Sequence, residues 1–240
     1  MPEPTSQFDE RVLAAERLGW FGGSFDPPHR GHLHVARTAM VSAGLDHVVW
    51  VPAAVSPHKT SGRGPAPGAV RAELLELLLA DGDPELEARS SIWAGELERE
   101  GPSFTVDSLR EVVAARVASG RAGGLLLLMG ADQLAGLDRW REVDAVLELA
   151  EPRIVPRPGF GRAELEALRP RLTPATFARV EAGLLAGDEV DLSSTELRSA
   201  RASGVDADLT PRVEARIEEL GLYRDAGGRG SGEAGGAPAP

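Results

Sequence analysis

The chain contains no cysteine. Disulfides, thiolate zinc sites and cysteine nucleophiles are excluded at once. It also lacks any apolar run near the ~20 residues that span a bilayer. Met1-Pro-Glu-Pro-Thr-Ser6 has neither the basic start nor the apolar core of a signal peptide. The expectation is a cytoplasmic protein with no membrane partner. Positive charge is short as well: 26 Lys and Arg face 37 Asp and Glu, a formal net charge of −11. That balance argues against broad nucleic-acid binding. Any phosphate site must be built from local positive groups working against the overall field.

What the chain does have is length for a core. Its 240 residues suit one α/β domain. Residues 17–224 read as that domain. Residues 1–16 read as a frayed N-terminal extension, in which Phe8 to Ala15 has the makings of a short helix. Residues 225–240 are Gly, Ala, Ser, Pro and charge, with nothing to bury, and read as a disordered tail. There is no internal repeat, and oligomeric state is not legible.

The most informative stretch is Phe21-Gly-Gly-Ser-Phe-Asp-Pro-Pro-His-Arg-Gly-His32. Leu18 to Phe21 reads as a short buried strand, and Gly22-Gly23 permit a tight turn with no Cβ in the way. Pro27-Pro28 stiffen the exit, and a helical pattern starts near Arg30. Strand, glycine turn and helix start aim backbone N–H groups at one spot, where an anion is favoured. His29 and His32 are three apart, so both imidazoles reach that spot from one face. The stretch is neither the G-x-G-x-x-G dinucleotide fingerprint nor a Walker loop ending in Gly-Lys-Ser/Thr. A glycine turn with two surface histidines is the structural alternative.

Further along, His47 to Val51 is an apolar run of strand length, which makes a βαβ unit with parallel strands. Pro52 to Lys59 and the Gly/Pro-rich stretch to Gly68 read as a loop carrying His58 and Lys59. Val70 to Ala80 reads as a helix and Ser91 to Ala94 as a short strand. Ser103 or Thr105 caps the next helix, with Asp107 in its first turn and Val106, Leu109, Val113 and Val117 as its buried stripe. Leu125 to Met129 is the cleanest central strand, and it runs into a second turn, Gly130-Ala-Asp-Gln133. Trp140 precedes an amphipathic helix with Val143, Val146 and Leu147. Arg153 to Pro156 reads as a strand, Glu164 to Ala186 as one helix, and Val190 to Leu192 as a short strand. Thr210-Pro211 opens the last helix, and Gly221 lies past its end.

The pattern predicts a doubly wound, Rossmann-like parallel sheet of five or six strands with helices on both faces and a helical C-terminal end. Its ligands would sit beyond the strand carboxyl ends, where both glycine turns open. A second anion site is suggested by Ser193-Ser-Thr-Glu-Leu-Arg198. Ser193-x-x-Glu196 is by itself a capping box. Three successive hydroxyl residues exceed what one cap requires, and Arg198 adds a forked donor suited to phosphate oxygens.

His29-Arg-Gly-His32 resembles the His-x-Gly-His signature of a nucleotidyltransferase superfamily. From Leu18 to Arg224 the chain resembles the bacterial nicotinate-mononucleotide adenylyltransferases. The matching segments are Gly22 to His32, Pro52 to Lys59, Ser103 to Leu109 and Gly130-Ala-Asp132 with Trp140. Arg157-Pro-Gly159, Ser193 to Arg198 and Leu220-Gly-Leu-Tyr223 complete them. Ser24 stands where Thr is common in that family, and Phe104 where Tyr is usual. Asp83 to Arg89 and the tail have no counterpart.

The resemblance implies transfer of the adenylyl group of ATP to nicotinate mononucleotide, releasing pyrophosphate, in NAD biosynthesis. It implies His29, His32 and Arg198 as catalytic groups. Gly22, Gly23, Ser24, Phe25, Gly130, Asp132, Arg157, Ser194 and Thr195 would join them around ATP. Lys59, Phe104, Thr105, Asp107, Trp140 and Arg141 would surround the acceptor. No protein-held metal is implied; Mg²⁺ would ride mainly on ATP and water. Another acceptor such as nicotinamide mononucleotide or phosphopantetheine, a tRNA synthetase fragment, and a nucleotide-binding regulator without turnover are the competing readings. The acidic charge and the lack of an anticodon-sized extension speak against the synthetase.

Overall fold

The computed structural model describes residues 7–54, 65–121, 123–156, 162–185 and 209–223. Five parallel strands form its sheet: β1 (Arg17–Gly23), β2 (His47–Pro52), β3 (Ser90–Ile92), β4 (Gly124–Gly130) and β5 (Glu151–Val155), in the order β3-β2-β1-β4-β5. The register sets Trp20 beside Val49 on one side and Leu127 on the other. The chain winds outward from β1 through β2 to β3, then returns to β4 on the far side of β1. This reversal leaves a crevice at the carboxyl ends of β1 and β4. Both sequence-read glycine turns, Gly22-Gly23 and Gly130, end their strands there.

The strands are apolar on both faces because helices cover both. Leu18, Trp20, Val49, Leu127 and Met129 point into one core, which is closed by α6 (Thr105–Ala118), α7 (Val143–Leu149), α8 (Arg162–Leu168) and α9 (Pro174–Gly183). Phe21, Val48, Trp50, Leu126 and Leu128 point into the other. That second core is closed by α2 (Arg30–Ala43), α3 (Gly68–Ala80) and α10 (Pro211–Glu219). Each buried leucine contributes roughly 2 kcal/mol by leaving water, so the continuous Leu125–Met129 run is a strong determinant of the centre. Trp50 is buried with its ring N–H satisfied by Ser90 Oγ at 3.0 Å.

Several elements differ from the sequence reading. The N-terminal extension, expected to fray but with the makings of a short helix from Phe8 to Ala15, does form that helix and is packed from Phe8 onward. α1 (Glu10–Ala14) is capped by Asp9 and buries Val12, and Phe8 stacks on Trp93 with centroids 4.8 Å apart. Buried Arg116 on α6 fastens this segment by donating to the carbonyls of Val12 (2.8 Å) and Ala15 (2.6 Å). It thereby takes the inward position expected of Val117, which is 65% exposed; Val112 is fully buried and Val113 only partly. α6 is capped by neither Ser103 nor Thr105. Its N-cap is Phe104, with no side-chain cap, and Ser103 Oγ donates to the Glu96 carbonyl.

The helix expected from Glu164 to Ala186 is two helices. Pro174 cannot continue a helix but suits the first position of a new one, and Thr173 Oγ1 accepts the Thr176 N–H at 3.2 Å. The strand expected over Ser91 to Ala94 is Ser90–Ile92, followed by α5 (Gly95–Glu98); α4 (Pro84–Ala88) precedes it. A Cβ at Gly95 would stand 2.2 Å from the Trp93 ring, so this glycine serves close approach. The expected strand at Val190–Leu192, the helix start at Ser193–Arg198 and the tail lie outside the described residues.

At the amino-terminal edge of the sheet, His47 Nε2 lies 2.7 Å from Ser91 Oγ, which donates to Asp9 at 3.1 Å. The hydroxyl is the middle member, so this is no nucleophilic triad, in which the imidazole must bridge the other two. Burial, reinforced by the positive field of Arg11, lowers the His47 pKa from 6.5 to about 4. An unfolded His47 would take up its proton near pH 6.5, while the folded one stays neutral to about pH 4. Stability is full above the first value and declines between the two. The stability difference between wild type and His47→Gln should therefore change by on the order of 2 kcal/mol between pH 7 and pH 4. Denaturant unfolding at both pH values measures it, and a pH-independent difference would contradict the assignment.

Candidate active site

The loop after β1 is more constrained than a glycine turn. Neither Gly22 nor Gly23 has positive φ; the left-handed residue is Phe25, at φ +44°. A Cβ on Gly23 would lie 3.0 Å from the Phe25 ring, so the glycine lets the ring close over the strand end without the shift of a few tenths of an ångström that a side chain would demand. Phe25 is fully buried and packs edge-on against Phe21 at 5.5 Å and His32 at 4.9 Å. Packing of that ring holds a backbone conformation that typically costs about 1–3 kcal/mol. The bond between Asp26 and Pro27 is cis.

His29 is the N-cap of α2, extended at φ −153°, and fully buried; His32 is two residues into the helix beyond Arg30 and half-buried. Their ring centroids are 3.8 Å apart. The His29 backbone N–H donates to His32 Nδ1 at 3.1 Å. A ring that accepts at Nδ1 carries its proton on Nε2, so His32 presents Nε2–H as a donor. The two imidazoles thus meet at a helix start, at the crevice end of β1. Ser24 sits partly exposed between β1 and this pair. Across the crevice, Gly130 ends β4 and is the N-cap of a 3-10 helix, Ala131–Arg139, which carries Asp132 in its first turn.

A second group forms at the start of α6. Arg141 lies over the Phe104 ring, its guanidinium carbon 4.7 Å from the centroid, and 3.8 Å from Asp107. Trp140, the C-cap of the 3-10 helix, is partly buried against the same core, and Thr105 opens α6. The structure therefore brings together His29, His32, Gly22, Gly23, Ser24 and Phe25, and separately Phe104, Asp107 and Arg141. Lys59, Arg157, Ser194, Thr195 and Arg198 lie outside the described residues.

Sequence reasoning missed Arg71, on the first turns of α3. Its side chain is buried and donates to the carbonyls of Ser24 (2.6 Å), Ala53 (2.7 Å), Ala54 (3.2 Å) and Ala66 (2.9 Å). Its spacing gave a signal: Arg71, Leu74, Leu75 and Leu78 share one helical face, which puts a charge on the inward stripe. Asp26 was likewise passed over. It accepts the Ala66 N–H at 3.1 Å and the Tyr223 hydroxyl at 2.5 Å.

Against this geometry, a family model described as cytidylyltransferase-like matches residues 20–200. The 3-2-1-4-5 sheet and the paired histidines at its switch point place the chain among the cytidylyltransferase-like nucleotidyltransferases. A nicotinate-nucleotide adenylyltransferase of Bacillus subtilis is 33% identical over 210 residues, covering 87% of this chain and 98% of that protein. A "probable nicotinate-nucleotide adenylyltransferase" of Thermus thermophilus is 38% identical over 210 residues, covering 87% and 100%. The chain belongs to the nicotinate-nucleotide adenylyltransferase family. Among solved structures, a Plasmodium falciparum nicotinic acid mononucleotide adenylyltransferase complexed with NaAD superposes with a TM-score of 0.62. At 15% identity, over 87% of this chain and 97% of the other, that likeness shows the fold.

Proposed function

We propose that this protein transfers the adenylyl group of ATP to nicotinate mononucleotide, forming deamido-NAD and pyrophosphate. The reading rests above all on relatives of that name, similar along almost their whole length, with the His29–His32 pair at the crevice as its local support. An oxygen of the acceptor's 5′-phosphate attacks the α-phosphorus of ATP in line. The α-phosphorus–oxygen bond to the β-phosphate breaks, and the electron pair leaves with pyrophosphate. The attacking phosphate is already ionised at neutral pH, so catalysis reduces to placement and stabilisation of charge.

In this reading His32 Nε2–H and His29 donate to the phosphates, aided by the N–H groups at the start of α2. Ser194, Thr195 and Arg198 hold the departing pyrophosphate, and Arg157 and Asp132 belong to the nucleotide side. Trp140, Phe104, Thr105, Asp107, Arg141 and Lys59 form the acceptor side. Among the described residues no three His, Asp or Glu side chains cluster as a metal cage. Imidazoles and backbone N–H groups suit anions, so Mg²⁺ would arrive on the ATP oxygens and neutralise charge on the leaving group. Among the described residues no helix is long and apolar enough to cross a membrane. We propose the cytoplasm as its location, in keeping with ATP as donor.

Incubating the protein with ATP, Mg²⁺ and nicotinate mononucleotide should release one pyrophosphate per dinucleotide formed. Absence of the dinucleotide would reject the reading.

A further inference from the structure

We propose that Arg71 is a positioning residue for adenylyl transfer, and that Asp26 and Tyr223 complete the clamp through which it sets the phosphate loop. Arg71 comes from α3, far in sequence from the loop. Yet its donors reach Ser24 on the loop after β1, Ala53 and Ala54 after β2, and Ala66 before α3. Four carbonyls, from the exits of two strands and from the segment before α3, are thus drawn to one guanidinium. Such a fork holds several acceptors in a fixed plane, which a lysine cannot. The Ala53 N–H already donates to the Gly23 carbonyl at 2.9 Å across these two strand exits, and the guanidinium extends that tie to Ser24 and Ala54 beyond the ladder.

Burying that cation needs compensation. Burial pulls the Arg71 pKa down, and the negative field of Asp26 acts against that. Asp26, two residues after Ser24, is itself buried and bonded to the Ala66 N–H and the Tyr223 hydroxyl. Tyr223 is delivered from the C-terminal side. α10 docks on α3 through Val213 and Ile217, and Arg216 pairs with Glu73 at 2.8 Å. The loop that carries Phe25 and leads to His29 is therefore gripped at Ser24 by Arg71 and at Asp26 by Tyr223 beyond α10. The histidines then inherit their placement from α3 and α10, and misplacing catalytic groups by about 1 Å can cost about 100-fold in rate.

The inference rests on the phosphate-loop reading above, so its test includes ATP binding by calorimetry as well as turnover. Arg71→Lys should keep the fold but lower kcat at least tenfold per folded molecule, at a temperature where circular dichroism shows it fully folded. Tyr223→Phe removes one hydroxyl at a partly exposed residue. It should weaken ATP binding about fivefold while leaving KM for nicotinate mononucleotide within twofold. A merely structural role would lower the melting temperature and leave those constants alone. If Arg71→Lys does not fold, Tyr223→Phe decides. Kinetic and ATP-binding constants within twofold of wild type in the variants that fold would overturn the clamp. A wild type that binds ATP but makes no dinucleotide would overturn the acceptor assignment instead, and the clamp would still be read from ATP affinity.

Discussion

His32→Ala is expected to lower kcat by roughly 100-fold or more while the protein remains folded. His32 Nδ1 accepts the His29 N–H, so Nε2 carries the ring proton that the proposed phosphate role would use. Removing one positioned donor to developing charge typically costs ~3 kcal/mol in the transition state. Ground-state binding should change less, because ATP keeps the backbone N–H groups of the helix start. His32→Gln separates the ring's two duties. Its amide can stand near Nε2 and donate, but it supplies no acceptor at the Nδ1 place. It should fall between wild type and alanine. The ring also packs on Phe25, so unfolding curves for each variant are needed beside kcat. Near-normal turnover in His32→Ala would remove the imidazole from the phosphate site.

The other large effect concerns the acceptor. Nicotinate mononucleotide should be preferred to its amide by at least about 100-fold in kcat/KM, or ~2.7 kcal/mol. Stacking on Trp140 cannot produce this, since acid and amide offer nearly the same ring face. The discrimination must come from donors aimed at the carboxylate. On the proposed acceptor side the start of α6 would provide them at Thr105 and Val106, because Phe104, its N-cap, makes no side-chain cap, while the Asp107 N–H turns back to the Phe104 carbonyl. An amide would turn its NH₂ toward some of these donors and leave them unpaired, which is costly in a buried pocket. Arg141 adds positive charge over Phe104, reduced by Asp107 beside it and by its exposure. The backbone donors are therefore expected to outweigh Arg141. Steady-state kinetics with the two mononucleotides measure the ratio, and equal efficiencies would mean that the acceptor side is misassigned.

Long, strongly patterned elements were legible in the sequence. β2 and β4 are continuous apolar runs because a parallel sheet covered on both faces has no polar side to record. The strand, loop and helix start around the histidines were legible because Gly22-Gly23, Pro27-Pro28 and two histidines three apart mark that geometry, which the structure shows. Three kinds of feature escaped. α4 and α5 are too short to show a period. The break before Pro174 was written plainly in Thr173-Pro174, but the helical composition on either side obscured it. The left-handed Phe25 defies local preference, since tertiary contact with Phe21 and His32 decides its backbone. Arg71 shows the same limit at the site. A lone arginine in a helix reads as a solvated charge until four carbonyls are found around it.

The central claim is adenylyl transfer to nicotinate mononucleotide. A single competition tests it most directly: limiting ATP with equimolar nicotinate mononucleotide, nicotinamide mononucleotide and phosphopantetheine, the products weighed by mass spectrometry against pyrophosphate released. Deamido-NAD should account for about 99% of the two pyridine dinucleotides at a 100-fold preference, with no adenylated phosphopantetheine. A product mixture dominated by either other acceptor would contradict the assignment.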